Sequence, residues 1–114
     1  MTDQADMLAA QLAPYRDTPG IVAALLISRD GFVVAADTDP GFKADAVAAQ
    51  VAGVIDIGAR LAAELGREAE ARYISIDLGD LNVVLAPFGS ELMLVLAGAP
   101  SALICEFRLN KPGA

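Results

Sequence analysis

The chain has 114 residues, a net charge of −7 and a pI near 4.3, and its basic side chains are scattered, which excludes nucleic acid and anionic lipid as expected partners. It contains no histidine, so histidine-based triads and histidine metal sites are excluded, and its single cysteine, Cys105, allows no internal disulfide. The 55% hydrophobic fraction, with aromatics at only 5%, exceeds the usual ~45–50% and points to one domain (1–114) with apolar surface to spare for an oligomer.

Thr2 or Asp3 is placed to cap a first helix running to Leu12 or Ala13, with Met7, Leu8, Leu12 and Tyr15 near one face. Pro14 is expected to end it, and Pro19-Gly20 marks a turn. No basic region followed by an apolar core starts the sequence, and no apolar run reaches the ~18 residues of a membrane span, so a soluble cytoplasmic protein without membrane insertion is expected. Ile21 to Ser28 reads as a strand apolar on both faces, which requires cover on both sides of its sheet. Asp30 and Gly31 form the turn to a second strand, Phe32 to Ala36, because glycine takes a positive φ without steric cost. Asp37 to Phe42 is a loop. Its carboxylates Asp37 and Asp39 lack the spacing of a calcium loop and read as a solvated turn.

Asp45 to Leu65 is the central element, a proline-free, alanine-rich helix of roughly 30 Å. Steps of ~100° put Val47, Val51, Val54, Gly58, Leu61 and Leu65 on the side opposite the charged arc, beside a strip of Ala48, Ala52, Ile55, Ala59 and Ala62. The apolar arc is wider than the ~100° needed to cover one core, and even the polar arc is thinned by Ala49, Gly53 and Ile57. Such a helix calls for cover on a second side, by another protein surface. Gly66 is the expected terminator.

Arg72 to Leu78 alternates, with Ile74, Ile76 and Leu78 inward and Tyr73, Ser75 and Asp77 outward, as suits a strand with one exposed face. Leu81 to Phe88 and Glu91 to Ala97 complete a meander. A closing helix runs from Pro100 to about Leu109, with Cys105 as a buried structural thiol. The expected fold is α+β: a five-stranded antiparallel sheet in the order α-β-β-α-β-β-β-α, the long crossover helix on one face and the terminal helices on the other.

The sequence has no GxxxxGK[ST] loop and no GxGxxG after a strand, so it points to no nucleotide site, no cofactor and no catalysis. The thinned side of the long helix, at Ala49, Gly53 and Ile57, is the side expected to meet a second protein surface.

Pro19-Gly20-Ile21, the run from Leu25 to Ala35 through Ser28-Arg29-Asp30-Gly31-Phe32, the helix closed by Glu64-Leu65-Gly66, and the later stretches Ile74-Ser75-Ile76, Leu85-Ala86-Pro87-Phe88-Gly89 and Leu94-Val95-Leu96 together resemble the Roadblock/LC7 family. The likeness spans about Met7 to Leu109. It implies the profilin-like sheet just described, a homodimer joined through the long helices and the strand that follows them, and a non-enzymatic role regulating or scaffolding small Ras-like GTPases; the interface it implies would use Ala49, Gly53, Ile57, Arg60 and Glu64 of the long helix and Arg72, Tyr73, Ser75 and Asp77 of the edge strand, whose backbone groups can pair with a second copy. A purely structural subunit of a motor or scaffold complex is the alternative reading, and a small-molecule sensor the third.

Overall fold

The computed structural model describes residues 4–67 and 73–101. Two short helices open it, α1 (Gln4–Ala10) and α2 (Ala13–Arg16), followed by β1 (Ile21–Ser28), β2 (Val33–Thr38), α3 (Ala44–Glu64), β3 (Ile74–Asp77), β4 (Asn82–Phe88) and β5 (Leu92–Gly98). The five strands form one antiparallel sheet in the order β2-β1-β5-β4-β3. The expected fold class is therefore found. Of the closing helix only its first residues, Pro100 and Ser101, lie within the described residues.

Alternation along the central strands divides the core into two layers. Ala24, Leu26, Leu94 and Leu96 point to one face, where Leu12, Leu8, Ala9 and Tyr15 of the amino-terminal segment cover them. Leu25, Ile27, Leu85, Met93 and Val95 point to the other, beneath Ala48 and Val51 of α3. This is the two-sided cover that the apolar β1 and β5 sequences require.

Four details depart from expectation. Pro14 does not end the first helix; the chain breaks after Ala10, and Pro14 sits in the first turn of α2, where its missing N–H has no intrahelical partner to lose. The second strand continues to Thr38, two residues beyond Ala36, because Ala23 and Ala24 of β1 still pair with Thr38 and Asp37. Asp37 and Asp39 are not merely solvated. Arg16 Nε donates to Asp37 Oδ1 at 3.1 Å, its Nη2 to Asp39 Oδ1 at 2.7 Å and its Nη1 to the Ile21 carbonyl at 2.6 Å. Finally, α3 is long and apolar enough by composition to cross a membrane, although no single uncharged run reaches that length.

The sheet side of α3 is also shorter than the sequence suggests. Its residues packed on the core end at Ile55, while Leu61 and Leu65, on the same apolar stripe as Val47 and Val54, are 59% and 67% exposed. The cause is length. Twenty-one residues span ~32 Å as a helix, whereas an eight-residue strand spans ~26 Å and five strands side by side ~19 Å. The last turns of α3 run out of sheet to cover. The helix then stops as predicted, with Gly66 at φ 71° and the Arg67 and Gly66 amides donating to Ala62 and Ala63 carbonyls.

Candidate protein interface

Gly31 fixes the orientation of α3. Its φ is +93°, and a Cβ placed there would lie 3.0 Å from Ala52 Cβ and 3.4 Å from Ala49 Cα. The β1–β2 turn is thus tucked against one flank of the helix, that of Ala49 and Ala52. At ~100° per residue, the opposite flank carries Val47, Val54, Gly58, Leu61 and Leu65. Val47 and Val54 pack in the core layer that also holds Ile74 and Val83, and this flank faces away from the β1–β2 turn. Its far end leaves Leu61 and Leu65 uncovered, and Ile57, at the crest of the helix, is 65% exposed.

The neighbouring strand contributes to the same surface. Ile74 and Ile76 point to the α3 face and are half-buried, while Ser75 and Asp77 are exposed on the other. Leu78, expected inward, is 60% exposed, because it has passed the end of the strand into the Gly79-Asp80 turn. Ile57, Leu61, Leu65 and Leu78 are large aliphatic groups in water, and burying each in an interface would contribute about 1–2 kcal/mol.

The two margins of the sheet differ. β2 pairs only with β1 among the described residues, and its register shifts between Leu26, opposite Ala35, and Ile27, opposite Val33. Val34 is the extra residue of a bulge, and Asp37 farther along is tied to Arg16; both features obstruct addition of another strand. β3 pairs with β4 in unbroken register, Ile74 with Leu85 through Asp77 with Asn82. It carries no bulge, and its outer side meets no other strand among the described residues.

All the interface residues expected from sequence are exposed, except Arg72, which lies outside the described residues. They form two groups. Tyr73, Ser75 and Asp77 lie along the β3 margin, Ser75 and Asp77 on the face away from α3. Ala49, Gly53, Arg60 and Glu64 run along the crest and the β2-side flank of α3, away from that margin, with Ile57 between the groups. Arg60 Nε is 3.1 Å from Asp56 Oδ2, an exposed pair one turn apart. Asp30 and Gly31 form the predicted turn, in which the Gly31 amide donates to the Ser28 carbonyl and the Ser28 amide to that of Phe32. Leu61, Leu65 and Leu78 were missed as surface residues. The available signal was the mismatch between helix length and sheet dimensions, which the periodicity of the helix does not contain.

Known proteins share this fold. A family model described as the Roadblock/LC7 domain matches residues 7–97. The structure of the gliding protein MglB from Thermus thermophilus superposes with a TM-score of 0.78 at 24% identity, covering 96% of this chain and 84% of that one. MglB in a tetrameric arrangement gives 0.80 at 25% identity, covering 96% and 83%. A Roadblock/LC7 domain from Streptomyces avermitilis gives 0.71 at 21% identity, covering 91% and 94%. No curated protein matches the chain.

Proposed function

The chain belongs to the Roadblock/LC7 family, and from that premise we propose that it is a cytoplasmic homodimer that binds a small Ras-like GTPase and regulates its GTP hydrolysis or location, without catalysis of its own. The observation that carries the dimer is the pairing of an unobstructed strand margin with uncovered aliphatic side chains on the adjoining helix flank. Backbone groups at a strand margin and apolar groups on one flank are satisfied together by a second copy of the same surface. The tetrameric arrangement described for one MglB structure is in keeping with self-association.

The GTPase part rests on the family likeness. It is supported by the crest of α3, where Ala49, Gln50 and Gly53 remain exposed and where a Cβ on Gly53 would meet nothing within 4 Å. Two such crests brought side by side would present a broad surface of small residues to a partner.

Two measurements test the reading. Leu61→Arg should convert the dimer to a monomer in sedimentation, because a guanidinium cannot be buried there without a partner. A dimer that survives this change but dissociates with Gly53→Arg would move the seam to the crest. The protein should also bind at least one small GTPase encoded in the same genome and change its turnover of GTP. No binding and no change in turnover with any of them would reject the regulatory role.

A further inference from the structure

The amino-terminal segment is joined to the sheet in a different way from the strands. α1 and α2 have 7 and 4 residues, below the ~12–15 at which a helix holds itself together in water. Among the described residues, their backbone hydrogen bonds close within the segment, as from the Leu12 amide to the Ala9 carbonyl and from the Arg16 amide to that of Leu12. Two side chains fasten it most firmly. Leu12 is fully buried in the layer of Ala24, Leu26, Leu94 and Leu96. Arg16 reaches Asp37 on β2, Asp39 just after it and the Ile21 carbonyl at the start of β1.

The next residues belong with the sheet. The Ile21 amide donates to the Thr18 carbonyl at 3.2 Å, with Pro19 and Gly20, φ 96°, at the central positions that suit them in a type II turn. The Gly20 carbonyl accepts from the Ala99 amide, just past β5, at 2.9 Å. Asp17 thus lies between an anchored turn and a segment held by side chains. From this division we propose that residues 4–17 form a strap that opens as one unit, latched by Arg16, and uncovers Leu26, Leu94 and Leu96 while the sheet and α3 stay folded. The layer beneath α3 shares no residue with the one beneath the strap, and β1, β5 and β4 keep their own ladders. Once Leu12 and Arg16 let go, neither short helix sustains itself, so the strap is released whole. The device gives the domain a second apolar surface that is exposed on demand, on the face opposite α3, and its opening does not depend on the dimer or partner proposed above.

Thiol labelling in a Cys105→Ser background tests this. Ala24→Cys reports on the strap's face and Ala48→Cys on the α3 face, and both positions are fully buried. Residue 24 should label about tenfold faster or more, through an opening that urea promotes only weakly, while labelling at residue 48 should follow global unfolding. Arg16→Gln should speed labelling at residue 24 by about five- to thirtyfold. Val95→Ala, which thins the α3 layer, should speed residue 48 by about tenfold and leave residue 24 unchanged, because the open state retains that layer. Equal rates with equal urea dependence at the two positions, acceleration of both by Val95→Ala, or an unchanged rate at residue 24 in Arg16→Gln would each overturn the latched strap. Ala35→Cys, in the same layer as Ala24, supplies the same readout should cysteine at residue 24 prevent folding.

Discussion

A Cβ at Gly98 would lie 2.6 Å from the Gly20 carbonyl oxygen and 2.9 Å from Ile21 Cα. Both are backbone atoms, and neither can turn aside as a side chain would. Gly98→Ala should therefore lower stability by about 1–3 kcal/mol, read as a fall in the urea midpoint at unchanged slope. Gly31 and Gly79 offer a cleaner comparison. Both have φ +93°, but a Cβ at Gly31 meets Ala52 at 3.0 Å while one at Gly79 meets nothing within 4 Å. Alanine at Gly79 should cost only the backbone strain, about 1–2 kcal/mol. Alanine at Gly31 should cost more, and the excess measures how closely the turn is held against α3. The Asp30-Gly31 turn was legible in the sequence because its chemistry is local. The second reason for glycine there was not, since it comes from a helix that follows some twenty residues later.

Arg16 shows the same limit. Its partners stand 21 and 23 residues away, and nothing in the local sequence pairs them. Hydrogen bonds donated first to Asp39 and then to Asp37 raise the guanidinium's pKa above its ordinary value. A base whose pKa is raised on folding contributes stability that is complete below its unfolded pKa and is lost only as pH climbs through the folded one. For an arginine that window lies beyond the alkaline range, so the cation itself is constant. Arg16→Met should cost about 1–2 kcal/mol, and by the same amount from neutral to mildly alkaline pH, in parallel denaturation curves.

Among the elements, β1 matches its predicted span residue for residue, and α3 differs by one residue at each end. Strong periodicity, long apolar runs and terminators such as Gly66 carry that information. The break before Pro14 and the bulge at Val34 were not legible, because each depends on what the segment packs against. Ala35 belongs to the layer under α1 and α2, while Val33 belongs to the layer under α3. Strict alternation would put residues 33 and 35 on the same face, so the bulge is what lets both be covered. The division of α3 into a packed first part and an overhanging end has a measurable consequence. In the monomer expected of Leu61→Arg, amides from Ile57 to Leu65 should exchange hydrogen much faster than those from Val47 to Ile55, while in the dimer the two stretches should be protected alike. Equal protection in the monomer would mean that the end of α3 needs no second copy to hold it.

For the molecule as a whole, the sheet and the helix flank together determine what can be added and where. The sequence showed that apolar surface was in excess, and composition alone was enough for that. It did not show which side chains carry the excess, which required knowing that β3 lies at the margin and that Leu61 and Leu65 extend past the packed part of α3. The crest of α3 stays available after the margin is used, so dimer formation and partner binding should be separable. Gly53→Arg should weaken GTPase binding while the sedimentation coefficient remains that of the dimer, if the seam lies at β3 as proposed.

The bulged, arginine-tethered β2 would give a dimer joined through β3 a natural stopping point. If two copies join through β3 as proposed, the sheet would have ten strands with β2 at both ends, each copy's β2 deformed at Val34 and tied at Asp37. Growth by strand addition thus terminates after a single step, and concentrating the protein should saturate light scattering at a finite particle instead of seeding fibrils.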